Sequence, residues 1–355
     1  MSLSQKVHQA IAMLFGGGQQ LSNRNGFVDG AMSSWDQTFA SPTALSASPG
    51  TFTGPVMWRA GAGTGGAGTI STIDLRTSAD LAAMEGDDTN SCYKMVITAG
   101  STGTVAGRSC GGFFQHIENV ARYAGKSVTL AFKLKADAPL TIPSIIASQS
   151  FGTGGAPSAA VVFDKAVTWA VGTSFKKFSV RIDVPNLIGK TMGTTGNFLE
   201  AGFWLPPGVT TTGLYVAEAQ IEGCSPGASP ALDGTGGNPM SYEHRSFQAE
   251  QARVTRCYET IQCNGMLSVA ACTAATQVYT QISYSPKRGI PVITLPSGSF
   301  TFNNATNVYA VTGLAASMPA TNTAGLVLNV SGSPVVNTPG AVISAAGLVV
   351  IDARL

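Results

Sequence analysis

Charge is scarce in this sequence. Asp, Glu, Lys and Arg make up 11% of 355 residues, and 21 basic against 19 acidic side chains leave a formal charge of +2. So small a surplus, with no basic cluster interleaved with aromatic residues, excludes the electrostatic footprint of a nucleic-acid-binding protein. Histidine is scarcer still. His8 falls in an amphipathic stretch, His116 just ahead of a strand and His244 in a linker, so nothing unites them into an acid–base or metal constellation. The six cysteines, at 92, 110, 224, 257, 263 and 272, show neither zinc-ligand spacing nor the density of a disulfide scaffold. They read as buried reduced thiols, and no metal is expected. Long apolar runs are also missing. Val7 to Phe15 is interrupted by His8 and Gln9, is too short to span a bilayer and lacks a small-residue cleavage site, so neither membrane insertion nor an export signal is expected. No nucleophile elbow, His-rich metal motif or phosphate loop occurs, and no cofactor is expected. Gly61, Gly63 and Gly66 spell GxGxxG, but the TISTIDL that follows reads as a strand and not as the helix of a dinucleotide fold. Residues 41–69, rich in Pro, Ser, Thr and Gly, read instead as a surface loop.

What the chain has in quantity is glycine, 42 residues of it, set between short runs of alternating side chains. Tyr93, Met95 and Ile97 alternate with Lys94, Val96 and Thr98. Val128, Leu130, Phe132 and Leu134 alternate with Thr129, Ala131, Lys133 and Lys135, and Phe178, Val180, Ile182 and Val184 with Lys177, Ser179, Arg181 and Asp183. A period of two is that of a strand with one buried and one wet face. FLEAGFWL at 198–205 adds another strand. LYVAEAQIEG at 214–223 reads as the last strand of a sandwich, with Tyr215, Ala217, Ala219 and Ile221 on one side. Strands separated by Gly, Pro and Asn turns, with no helices between them, predict two antiparallel sheets face to face.

Two helices are expected. Leu3, Val7, Ala10 and Leu14 share one helical face, and Gly16 to Gly18 stop that helix. Ser246 can cap a second one, with Glu250 in its first turn and Phe247, Val254, Tyr258 and Ile261 on one side. The chain is therefore expected to be all-β: a helix and glycine hinge at 1–22, a jelly-roll-like β-sandwich at 23–245, a linking helix at 246–261 and a second, small β domain at 262–355. In the last, AGLVLNVSG (324–332) and AGLVVIDAR (346–354) read as two strands of one sheet. So small a β domain has a poor surface-to-volume ratio, and neighbouring copies could supply burial it lacks.

Several motifs carry a resemblance. Asn23, Arg24, Gly30, Ala31, Met32 and Gln37, the set Gln115, Ile117, Glu118, Gly125 and Lys126, then Gln220, Ile221, Glu222 and Gly223, then Tyr242, Glu243 and Arg245, and finally Arg256, Cys257, Tyr258 and Glu259 are similar to the pattern of a β-sandwich module found in bacteriophage tail fibres and other virion surface proteins. Asp29 departs from it where the family has Asn, the connection at 224–241 is longer, and one Tyr stands where two are common. The resemblance implies a virion structural protein assembled in the host cytoplasm. It also implies a homotrimer whose residues 1–22 dock on other virion proteins, and a carbohydrate-binding-module-like sandwich that meets host surface polysaccharide.

The tryptophans bear on that expectation, because an exposed ring gives an apolar plate for a sugar's C–H face. Trp58 lies beside the glycine-rich stretch and Trp204 ahead of a Pro-Pro turn, so these two are the candidate glycan-binding residues, with a packing role the other reading of each. Glu200 and Glu218 are the carboxylates a polysaccharide depolymerase could use, against which stands their reading as solvated residues on outer strand faces. Three functions are thus in view: a tail fibre, spike or head fibre that binds glycans without an enzymatic step, a decoration protein that braces the particle, and a depolymerase.

Overall fold

The computed structural model describes residues 42–47, 58–85, 89–104, 109–223, 247–295, 300–304, 306–336 and 338–353, together with Asn25, Phe27, Met32, Tyr242 and Glu243. The helix expected within 1–22 lies outside them, as do His8, His244 and Ser246. No described helix is long and apolar enough to cross a membrane. The chain divides before Phe247 into two units, each built on antiparallel strand pairs.

The first unit is a jelly-roll-like sandwich. One sheet takes β1 (Thr43–Ala44), β3 (Ala67–Asp74), β4 (Ser91–Ala99), β12 (Thr211–Gly223), β6 (Ser127–Ala136) and β10 (Lys176–Asp183) in that spatial order. The other takes β2 (Trp58–Gly63), β5 (Cys110–Glu118), β11 (Phe198–Trp204), β7 (Leu140–Ser150) and β8 (Val161–Val162), with β9 (Lys165–Val171) also pairing with β7. We call them the β12 sheet and the β11 sheet. Their neighbours are mostly non-consecutive in sequence, so the chain crosses between layers as in a jelly roll. The alternating residues of β4, β6 and β10 meet Trp58, Phe113, Ile117, Ile145, Leu199 and Phe203 of the other layer in one core. Each large side chain fully buried there contributes about 1.5–3 kcal/mol.

Three sequence-based expectations are corrected. First, residues 58–69 are not a surface loop. They run strand, tight turn, strand, and carry the chain from β2 in one sheet to β3 in the other. Gly63 has φ of 83°, and a Cβ there would come 2.4 Å from the backbone of Cys110, so a glycine is needed where these segments cross.

Second, β12 is central in its sheet, and its alternation changes phase. Leu214 and Val216 point into the core, whereas Tyr215 does not. Between Ala217 and Gln220 the register against β6 shifts, with Glu218 in a left-handed conformation at φ 43°, and beyond it Ala219 and Ile221 face inward. The bulge is held by the buried Asn25, whose side-chain amide donates to the Ala219 carbonyl (2.9 Å) and whose oxygen accepts from the Ile221 N–H (3.0 Å). The Asn25 N–H donates to Glu243, and the Glu243 N–H to the Gln220 side chain (2.9 Å). Gln220, Glu243 and Met32, all residues of the phage-like motifs, are therefore buried bracing, as is Gln115.

Third, the helix α1 stops at Thr255, spanning Phe247–Thr255. Tyr258 and Ile261 begin β13 (Tyr258–Ala274), where Tyr258 pairs with Asp352. Ladder pairing with the chain's last strand overrides a helical spacing that only four residues supported.

The second unit is a barrel-like sheet. β13 pairs with β14 (Gln277–Ser283), followed by β18 (Thr323–Val330), β17 (Val308–Pro319), β16 (Phe300–Asn304) and β19 (Pro339–Asp352), and β19 pairs back with β13 to close the circuit. β15 (Val292–Thr294) adds to β19. Inside lie Val278, Phe300, Phe302, Leu326, Leu328, Val342 and Ile351. The runs at 324 and 346 belong to one sheet, as β18 and β19, separated by β17 and β16.

Cys92, Cys110, Cys257 and Cys272 are buried thiols without disulfides. Burial, reinforced by the nearby Asp80 carboxylate against a weaker pull from Lys135 and Lys94, pushes the Cys92 thiol up to about 12. The thiolate is the reactive form. Cys92 is therefore expected to stay unmodified by iodoacetamide at pH 8 in the folded protein and to be modified after denaturation, as peptide mass spectrometry would read.

Candidate functional site

The outward face of the β11 sheet brings together side chains far apart in sequence. β11 lies between β5 and β7, so that Glu200 stands opposite His116 on one side and Ser148 on the other. Two residue pairs along, on the same face, Phe198 stands between Glu118 and Ser150. His116 Nε2 is 3.3 Å from Glu200 Oε2, and Ser148 Oγ donates to Glu200 Oε1 at 3.2 Å. The imidazole lies flat on the Phe198 ring, with centroids 3.7 Å apart and planes 13° from parallel. His116, Phe198, Glu118 and Glu200 are half-buried, so each keeps part of its surface in water.

Next to this row, farther along the same outward face, lie Cys110, Phe114, Ile146 and Trp204 as a buried apolar cluster. Trp204 pairs in register with Gly112, and a Cβ on that glycine would come 2.9 Å from the indole, so the ring lies down over the bare strand. Its Nε1 donates to Asp164 (3.0 Å), whose other oxygen accepts the Ala147 N–H (2.8 Å). The indole N–H is thereby satisfied and the ring shut in, at 3% exposure. Trp58 is enclosed on the opposite face, 1% exposed and stacked on Phe113 at 4.7 Å. Neither tryptophan is an exposed plate. Both are buried by their neighbours, and in the His116–Glu200 row the half-buried rings are Phe198 and His116.

Glu200 and Glu218 do not converge on one point. Glu218 is on the other sheet, its carboxylate 2.8 Å from Lys133 Nζ and accepting the Glu85 N–H at 2.7 Å. Ser148 donates to Glu200 and not to His116, so the hydroxyl lacks the His contact that activates a serine nucleophile. Chemically, the row offers a carboxylate acceptor, a ring nitrogen, a hydroxyl and a stacked aromatic surface, the inventory that orients a polyhydroxylated ligand. Sequence reasoning missed His116, Ser148 and Phe198 as a group. The alternation in FFQHIE and NFLEAGF does put His116 with Phe114, and Phe198 with Glu200, on single faces. The pairing of β5, β11 and β7 that unites them joins residues at least 48 apart, Ser150 with Phe198 being the nearest pair, which periodicity does not encode.

No family model matches the chain, and no curated protein matches it. Among solved structures it is similar to the CBM22-2 xylan-binding domain of Paenibacillus barcinonensis Xyn10C (18% identity, 51% of this chain and 99% of that one, TM-score 0.29). It is also similar to a family 11 carbohydrate-binding module of a Clostridium thermocellum cellulosomal cellulase (14% identity, 52% and 96%, TM-score 0.28). A third similarity is to the enzymatically active domain of tailspike protein 4 of bacteriophage CBA120 (13% identity, 56% of this chain but 21% of that one, TM-score 0.31). At these scores the similarities carry no conclusion about function.

Proposed function

We propose that this chain is a structural protein of a phage particle, a tail fibre, spike or head fibre, that holds host surface polysaccharide on the outer face of its β11 sheet. The observation that carries glycan binding is the row His116, Glu200 and Ser148 with Phe198 stacked beside it, partly open to water on a rigid sheet. A sugar ring gains from an aromatic face and from acceptors fixed in place before it arrives, because little ordering remains to be done on binding. The virion role draws on the motif resemblance alone. In this reading the protein is assembled in the host cytoplasm as a homotrimer, with residues 1–22 docking on other virion proteins. Weak contacts by each copy are multiplied through linkage, which raises the effective concentration of every second contact.

A glycan array probed with the purified full chain tests the reading. Binding to at least one class of surface polysaccharide is expected, and a blank array would favour the decoration role. Shortening of long polysaccharide on incubation would favour a depolymerase.

A further inference from the structure

The second unit is nearly devoid of charge. Residues 260–286 and 289–351 contain no Asp, Glu, Lys, Arg or His. Its charges gather at one end of the barrel: Glu250 and Arg253 on α1, Glu259 paired with Lys287 at 2.5 Å, Arg288 donating its N–H to the Arg256 carbonyl, and Asp352 opposite Tyr258. The barrel wall beyond carries apolar residues outward. Val269, Ala341, Asn303 and Val308 form one continuous row across β13, β19, β16 and β17, and Met266, Ile343, Thr301 and Ala310 form the next. Val269 is 70% exposed, Met266 66% and Val308 65%. Of the eleven large hydrophobic residues exposed among the described ones, eight belong to this unit.

A monomer's surface is ordinarily rich in charge, and exposed apolar patches mark interaction faces. The choice of occupant follows from chemistry. Nucleic acid, an anionic lipid surface or an acidic peptide would find no countercharge on this wall. Burial in a bilayer is disfavoured by the apolar interior of Phe302, Leu326, Leu328 and Val342, because membrane barrels are larger and polar inside, and by Thr301 and Asn303 within the outward rows. Strand addition at β15 is opposed by its three-residue length and by Pro291 just before it. A neutral wall does suit the neutral wall of another copy, since no equal charges are brought together when the two meet.

We propose that the outer face of β13, β19, β16 and β17 is the surface on which a second copy of this chain packs, barrel against barrel. The inference rests on the homotrimer of the reading above and names the surface that would hold it together, while the glycan site lies in the other unit. Sedimentation velocity on the full chain at micromolar concentration tests it. The wild type is expected to sediment as an oligomer, and the double variant Val269→Lys/Val308→Lys to raise the dissociation constant at least about 100-fold. The variant's far-UV circular dichroism and binding to an immobilised polysaccharide at single-site density should be unchanged, and Val269→Thr should still assemble. Should the lysine variant misfold, peroxide footprinting of the wild type serves instead: oxidation of Met266 is expected to speed up on dilution through the assembly range. A monomeric wild type, an undiminished oligomer in the lysine variant, or Met266 oxidation independent of concentration would each overturn the proposal.

Discussion

Truncating Trp58 to alanine is expected to remove about 3–5 kcal/mol of folding stability, the usual range for deleting a large buried aromatic side chain. The ring is stacked on Phe113 at 4.7 Å, tilted against Phe27 at 4.8 Å and edge-on to Phe132 at 6.2 Å, so its loss strips contacts from both layers of the sandwich at once. Trp58→Phe keeps a ring in place and should cost less, about 1–3 kcal/mol. Denaturant titrations of the two variants check this. A Trp58→Ala protein as stable as the wild type but unable to bind polysaccharide would return Trp58 to the role of a ligand plate.

The second large effect concerns the buried ion pair on the other sheet. Lys133, 6% exposed, lies 2.8 Å from Glu218, itself 3% exposed, and also donates to the Ala83 carbonyl at 2.5 Å. Lys133→Met leaves a carboxylate buried without its cation and should cost about 3–5 kcal/mol, whereas Lys133→Met/Glu218→Gln should cost clearly less than the sum of the single changes. The same cluster sets an acid limit. Burial raises the Glu85 carboxyl, but the Tyr242 N–H and the ammonium groups of Lys177 and Lys133 outweigh it and hold it below its ordinary value. A carboxyl depressed in the folded state adds stability that is present above the unfolded value of about 4.3 and is lost as pH falls through the folded one. Stability at this cluster is thus expected to hold from neutral pH down to the ordinary carboxylate range and to decline below it. Glu85→Gln should flatten that decline, as thermal melts between pH 3 and pH 7 would register.

The layers of the sandwich could be read from single strands, because Val128 to Leu134 and Phe178 to Val184 each announce a buried face by alternation alone. What could not be read depends on partners distant in sequence. The phase change at Glu218 needs Asn25 to accept and donate across the bulge, nearly two hundred residues away. Trp204 is hidden because β11 pairs with β5 in the register that sets it over Gly112, and a tryptophan's neighbours across a sheet are not written beside it. The end of α1 was misplaced for the same reason, as Tyr258 is claimed by a strand that closes only at the far end of the chain. The motif residues themselves proved informative about architecture: Gln115, Gln220 and Glu243 are buried polar groups, so they specify how the sandwich is braced and say little about what it binds.

The claim that the β11 sheet's outer face is the adhesive one is met most directly by calorimetric titration of the full chain with a polysaccharide recovered from the array. Phe198→Ala and Glu200→Gln should each weaken binding about tenfold, some 1.4 kcal/mol, while Tyr215→Ala on the β12 sheet leaves it within error. Unchanged affinity in both β11 variants, or a loss confined to Tyr215→Ala, would contradict the account.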